Sequence, residues 1–431
     1  MIKRIYIDGY KSLREVELDN LGSLVVFFGA NASGKSNLLD ALDLLGRLSR
    51  DDTLLQAFQR HRGSRASRPL PVRHFFSQGD DATSTMTFEV DLELEEARVE
   101  RLNKELRERE EREGLKRSYT MVTYRNLRYR LSLHHDAQSR AIEVVDEQLY
   151  PITETGAKHL SVKPFIGRTP DAASLSVKLE RQSHPRTFPL PRPRTLLSEI
   201  RDLVNHPHLV ATAQELAAAS IYYIEPTRMR SEVSDVEARD PGPNGEAIAS
   251  FYYWLQRSHP VRFKNLQINL RRLIPGFENL RISEATDGFL DLWVQEAHRG
   301  EFPAALLSEG TLRLLCLLGI LVSPEPPSVV GYEEPENGVH PGRLSEMLEM
   351  LIVAANRGQT QFLITTHSPE VLDTLSGFPL FRAARVGART TFCRSNALPL
   401  LRLIESRQSL GDVPSSAGGT VGQRLVRGDL G

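Results

Sequence analysis

Eight consecutive residues near the start of the chain have the composition of a phosphate cradle: Gly29-Ala30-Asn31-Ala32-Ser33-Gly34-Lys35-Ser36. They satisfy G-x-x-x-x-G-K-[ST] at each defined position. The glycines let the backbone wrap its N–H groups closely around phosphate oxygens. Lys35 would reach the β- and γ-phosphates of a nucleoside triphosphate, and Ser36 would ligate Mg²⁺.

A second group of reactive side chains follows some three hundred residues later. Val329-Val330-Gly331-Tyr332 runs into Glu333-Glu334-Pro335-Glu336-Asn337. A buried strand ending in adjacent carboxylates suits metal-assisted hydrolysis. One carboxylate, Glu333, serves the Mg²⁺ shell, and the next, Glu334, polarises the attacking water. Phe362-Leu363-Ile364-Thr365-Thr366-His367-Ser368-Pro369 places one histidine at the end of another apolar strand. Parallel strands bring their C-terminal ends together, so His367 can reach the γ-phosphate region. Ser308-Glu309-Gly310 stands directly before an apolar helix. Two readings stay open there: Ser308 as a helix cap, and the helix start as a phosphate-facing element.

These residues need elements to position them. Leu24 to Phe28 is apolar throughout, as expected of a strand buried on both faces. After the phosphate loop, Leu38, Leu39, Leu42, Leu45 and Leu48 recur at helical spacing. Alternation predicts strands at Ile2 to Ile7, Thr85 to Leu94, Met121 to His135 and Ala141 to Val145. The mixed-charge stretch 91–118 reads as an exposed helical arm with a thin stripe of Val99, Leu102 and Leu106. Asp51 to His74 reads as a basic surface loop, and 160–195, rich in Pro and Arg, as a variable loop. Residues 196–220 and 247–273 read as helices, with a short strand at Ile221 to Ile224. From Thr311 onward, helix and strand alternate: 311–322, 328–332, 341–356, 361–365, then a helix from Pro369. That alternation implies a mostly parallel sheet with helices outside it. A head spanning 1–404 with a helical lobe about 196–320 and a flexible tail 405–431 is the resulting layout.

The chain has 431 residues with 54 Lys plus Arg against 55 Asp plus Glu. The net charge of -1 excludes a uniformly basic nucleic-acid coat but permits local basic patches. Two cysteines cannot build a disulfide framework for this length. The longest apolar run, Leu314 to Val322, is far too short for a bilayer span. No secretory leader is read at the N-terminus. The expectation is a cytoplasmic protein with no membrane partner.

In order, the phosphate loop, the Ser-Glu-Gly helix, the Glu-Glu-Pro-Glu strand end and the Thr-His-Ser-Pro strand end resemble the ABC-type ATPases. More closely the chain is similar to the RecF/SMC-like AAA family ATPases that include the ATPase part of the OLD proteins. Tyr10-Lys11-Ser12-Leu13, Asn37 after the phosphate loop and Glu336-Asn337-Gly338-Val339-His340-Pro341 resemble that group too. The resemblance implies an α/β P-loop NTPase fold: a two-lobed ABC-type ATPase head with a mixed central sheet, an antiparallel β part and a helical lobe. It implies ATP and Mg²⁺ as cofactors, and ATP hydrolysis. It implies that Gly29, Asn31, Ala32, Ser33, Gly34, Lys35, Ser36 and Asn37 form the ATP-binding loop. It also implies heads that pair with themselves around ATP, as a dimer or higher oligomer. Ser308, Glu309 and Gly310 would then act across the interface, with His367 as the switch histidine. Gln78 matches the loop glutamine that senses Mg²⁺. Glu333 stands where many members have Asp, and Ala32 where Gly is frequent.

Two functions follow. One is an ATPase acting with nucleic acid in DNA repair or anti-phage defence, with Arg60 to Arg73 and Arg181 to Arg194 as phosphate contacts. The other is a nucleotide-gated scaffold controlling a separate effector, a nuclease or toxin, with slow hydrolysis. A transporter motor is disfavoured. Ser36 and Ser308 are 272 residues apart, and the resemblance implies a much closer spacing in transporter ATPases.

Overall fold

A computed structural model describes residues 1–431 except 52, 61–69, 78–83, 115–118, 181–183, 231–232, 235–236, 285–287, 396–419 and 421–431. The strands begin with β1 Ile2–Asp8, β2 Val16–Leu18, β3 Leu24–Phe28, β4 Thr85–Glu93, β5 Asn126–His135 and β6 Ile142–Pro151. They continue with β7 Ile166–Arg168, β8 Ser174–Val177, β9 Arg186–Pro189, β10 Ala219–Tyr222, β11 Val233–Ser234 and β12 Phe277–Glu284. The last are β13 Phe289–Glu296, β14 Gly300–Pro303, β15 Val329–Glu333, β16 Gln361–Thr366, β17 Leu380–Val386 and β18 Arg389–Arg394. The helices are α1 Lys35–Leu48, α2 Leu54–Gln59, α3 Glu96–Arg112, α4 Leu196–Glu199, α5 Pro207–Ala217 and α6 Pro226–Met229. Then come α7 Ile248–Ser258, α8 Pro260–Leu273, α9 Glu309–Val322, α10 Pro341–Asn356 and α11 Pro369–Thr374.

The chain divides into two discontinuous units. The first comprises 1–22, 30–219 and 383–393; the second comprises 23–29, 220–382 and the described residues from 394 onward.

The first unit is built on an eight-stranded sheet of order β2-β1-β4-β5-β6-β7-β8-β9. Its pairs are antiparallel, and its register follows from alternation. Ile5 faces Val90 and Ile7 faces Phe88; Phe88 in turn faces Leu131, and Val90 faces Tyr129. These side chains are all buried, so one face of the sheet is apolar. The alternate positions carry charges that pair between strands. Arg4 donates to Glu89 at 2.6 Å, Arg130 to the same carboxylate at 3.1 Å, and Arg168 to Asp146 at 2.8 Å. Helix α3 lies between β4 and β5 in sequence. Its stripe of Val99, Leu102 and Leu106 is buried, and it packs on α5. The arm therefore has a partner within its own unit.

Two segments of this unit depart from the sequence reading. The stretch taken as a loop from Asp51 to His74 contains α2. Thr53 and Gln56 form a reciprocal capping box there, and Leu54, Ala57 and Phe58 are buried. The Pro- and Arg-rich stretch 160–195 contains β7, β8 and β9. These are three- and four-residue strands, in which Ile166, Leu175 and Val177 alternate inward. So few apolar residues give no visible period.

The second unit centres on neighbouring strands β10-β15-β16-β3, with the start of β17, Leu380 to Arg382, paired to β3. β15, β16, β3 and β17 run parallel. β3 and β16 are buried at every residue, which accounts for the apolar run of β3 and for Phe362-Leu363-Ile364 at the centre of β16. Helices α7 to α10 supply much of this unit's apolar core. The segment 196–320, read as a helical lobe, also carries strands. β13 pairs antiparallel with β12, β11 and β14. Among the described residues no helix is long and apolar enough to cross a membrane.

Candidate functional site

The chain leaves β3 at Phe28 and passes through Gly29 into the phosphate loop. Gly29 has φ 148 and Gly34 has φ 104, both in the region that glycine enters freely. Ala32 takes φ 62 without that freedom. Within the first unit the Lys35 amine donates to the Ala30 carbonyl at 3.0 Å. The lysine thus closes the loop on itself. Helix α1 starts with Gly34 as its N-cap, with no side-chain cap and no acidic residue in its first turn. A 14-residue helix that starts without a side-chain cap or an acidic first turn points the positive end of its dipole into the loop, which suits an anion. Asn31 and Ala32 are exposed, Ser36 and Asn37 are half-buried, and Ser33 is buried.

The second unit holds the acidic residues. Register aligns Glu333 of β15 with Thr365 of β16, and Thr366 of β16 with Phe28 of β3. Three parallel strands therefore end side by side, including the one from which the phosphate loop departs. Glu333 is half-buried at the last position of β15. Glu334 follows at φ 46, a left-handed conformation that costs a non-glycine residue about 1–2 kcal/mol. The neighbouring strand and the turn hold it there. Its N–H donates to the Thr365 carbonyl at 2.9 Å, and Asn337 Nδ2 donates to its carboxylate at 2.6 Å. His367 Nδ1 lies 3.2 Å from Glu334 Oε1 and 3.6 Å from Glu336 Oε1. The structure thus brings together the expected base and the expected switch histidine.

Glu336 and Thr366 were quoted in the sequence motifs without a role. Glu336 Oε1 accepts from Thr366 Oγ1 at 2.6 Å and from the His367 N–H at 3.1 Å. It ties the turn after β15 to the end of β16. The next acidic residue after Glu334 is a visible signal, but its partner lies 30 residues away.

Ser308 caps α9, accepting from the Thr311 N–H at 3.2 Å. It and Glu309 are exposed. Gly310 is buried for a local reason: a Cβ there would lie 1.9 Å from the Gly338 carbonyl oxygen. The start of α9 and the turn following Glu334 meet backbone to backbone. Gln78 lies outside the described residues, as do 61–69 and 181–183 of the two basic stretches.

Comparison with known proteins gives this arrangement a context. The crystal structure of an Smc head bound to the C-winged helix domain of ScpA matches with TM-score 0.55 and 13% identity. The match covers 93% of this chain and 99% of that one. An Smc head with an extended coiled coil, bound to the C-terminal domain of ScpA and derived from Pyrococcus furiosus, matches with TM-score 0.56 and 10% identity. It covers 94% of this chain and 99% of that one. At such identities the likeness is one of fold, the P-loop ABC-type ATPase fold. A curated relative, the uncharacterized protein MJECL44 of Methanocaldococcus jannaschii, is 30% identical over 77 residues, 17% of this chain. The aligned part spans 23% of that relative's length. The profile of a family described as "AAA domain, putative AbiEii toxin, Type IV TA system" matches residues 24–373, and the chain belongs to that family.

Proposed function

We propose, from this family membership and the residues at the strand ends, that the protein binds and hydrolyses ATP with Mg²⁺. The reading is carried by one observation: the strand feeding the phosphate loop ends beside strands that end in Glu333-Glu334 and His367. Lys35 and the first-turn N–H groups of α1 would hold the phosphates. Ser36 offers a hard oxygen ligand to Mg²⁺, and Glu333 a carboxylate for the ion's shell; such a donor set fits this cation. Bound Mg²⁺ supplies charge neutralisation at the phosphates. Glu334 accepts the proton of the attacking water, and its bond to His367 Nδ1 orients the carboxylate. The first step for this chain is therefore proton removal by a residue already held in a strained, defined position.

We further propose that heads pair around ATP, with Ser308, Glu309 and Gly310 serving the partner's nucleotide. Exposure of Ser308 and Glu309 at a helix start, beside Leu306 at 72% exposure, supports this. The family's description, which speaks of a putative toxin and a toxin–antitoxin system, favours defence over DNA repair. It equally supports the second reading, a nucleotide-gated scaffold for a separate effector.

Phosphate release from ATP, with Mg²⁺ or with chelator, tests the central reading. Wild type should turn over only with the metal. Glu334→Gln should bind ATP and lose turnover by about 100-fold or more. Equal turnover in the two would remove Glu334 from the base role. Light scattering of Glu334→Gln with ATP should give a doubled mass, which Ser308→Arg prevents. Stimulation by DNA distinguishes the nucleic-acid reading from the scaffold.

A further inference from the structure

Behind the phosphate loop, within the first unit, lies a residue 357 positions along the chain from Ser33. Thr390, on β18, is 1% exposed. Its Oγ1 donates to the Ser33 carbonyl at 3.0 Å and lies 2.7 Å from Ser12 Oγ. Asn37 Nδ2 donates to Ser12 Oγ at 2.8 Å.

A hydroxyl has one proton to give, so the direction of this chain is set. Thr390 spends its proton on Ser33 and must accept from Ser12. Ser12 spends its own on Thr390 and accepts from Asn37. The line therefore runs from the first turn of α1, through the turn after β1, through the C-terminal hairpin, back to the middle of the loop. Each donor in it polarises the next. The Thr390 N–H also donates to the Ser12 carbonyl at 2.8 Å. Gly34 makes room for the arrangement: a Cβ there would lie 2.0 Å from Thr390 Oγ1.

We infer that Thr390 is a positioning residue for the phosphate loop, acting through the Ser33–Gly34 peptide plane. In a trans peptide the C=O and the following N–H point in opposite directions. Holding the Ser33 carbonyl against Thr390 therefore aims the Gly34 N–H away from the hairpin. That N–H belongs to the set that cradles phosphate oxygens. Without the hydroxyl this plane is free to rotate, and the loop must be ordered when the nucleotide arrives. The inference rests on the ATP-binding reading above.

Its test is ATP affinity and steady-state hydrolysis in wild type, Thr390→Val and Thr390→Ser. Valine keeps the volume and removes the hydroxyl. Thr390→Val should bind ATP about tenfold more weakly, the loss of one buried hydrogen bond. KM should rise by a similar factor, kcat should change little, and the melting temperature should stay near wild type. Thr390→Ser should restore the affinity to within about twofold, which a purely structural role does not require. Wild-type affinity in Thr390→Val would overturn the inference. Should valine lower the melting temperature, Ser12→Ala decides. It should weaken ATP binding about threefold without unfolding, and unchanged affinity there overturns the inference as well. Failure of wild type itself to bind ATP would sink the functional reading instead, on a different protein sample.

Discussion

Glu147 and Glu334 are the same side chain put to opposite uses. Glu147 lies within β6 in the first unit and is fully buried. It accepts from Tyr129 Oη at 3.0 Å, the Leu196 N–H at 2.7 Å and the Leu197 N–H at 3.2 Å. Burial raises its pKa to about 7, against the pull of those three donors. Two of these bonds tie α4 to the sheet, and the third holds the carboxyl to β5. Glu334 lies just past the end of a parallel strand, with 29% of its side chain exposed. Its partners, Asn337 and His367, hold it without enclosing it. The difference is one of position. Mid-strand and fully enclosed, Glu147 is out of reach of a ligand. At the C-terminal edge of a parallel sheet, Glu334 stands where open α/β sheets generally bind ligands, the position the proposed base role requires.

The sharpest break of this contrast is the exchange of the two substitutions. Glu334→Gln should lose turnover by about 100-fold or more with little change in melting temperature. Glu147→Gln should keep turnover within a fewfold and change stability instead. If Glu147→Gln lost turnover at unchanged stability, the division between the two glutamates would be wrong.

The next effect is the pH dependence that Glu147 contributes. Its folded pKa lies above the ordinary value of 4.5, so the folded state holds the proton more tightly. The resulting stability is fully present below about pH 4.5 and is lost as pH rises through about 7. The loss is about 3 kcal/mol at the top of that window. Denaturant unfolding at pH 5 and pH 8 should show this fall in wild type relative to Glu147→Gln. Identical pH slopes would count against a neutral Glu147.

Gly310→Ala tests the second unit's side of the contrast. The new methyl would meet the Gly338 carbonyl, and neither backbone can yield without moving the turn that carries Glu334. A cost of about 1–3 kcal/mol is expected, with a parallel fall in turnover. Unfolding and kinetics on one sample check both.

The smallest effect is at Ala32. Its φ of 62 suits glycine, so Ala32→Gly should raise stability by up to about 1 kcal/mol and leave ATP affinity intact. A loss of affinity would mean that the loop needs the stiffness alanine gives it.

Much of the candidate site was legible in the sequence because its parts are local. A phosphate loop is a turn between adjacent elements, and its glycines, lysine and serine stand at fixed offsets. The strand-end positions of Glu333, Glu334 and His367 were legible because apolar runs mark buried parallel strands, and whatever follows such a run lies at the sheet's edge. The strands β7 to β9 were not legible, since three or four residues cannot establish a period. Helix α2 was hidden for a similar reason: its basic neighbours outweighed a single capping box.

The sequence by itself determined which chemistry is available: the cradle, the paired carboxylates, the histidine and the fold class that carries them. Tertiary structure alone decided how they are held. Thr390 reaches Ser33 across 357 positions, Glu336 reaches Thr366 across 30, and Gly310 meets Gly338 at a glycine-only distance. Hydrogen bonds between residues far apart in sequence leave no periodic trace in either segment. They exist only once each unit's own fold has fixed where its connecting turns must lie.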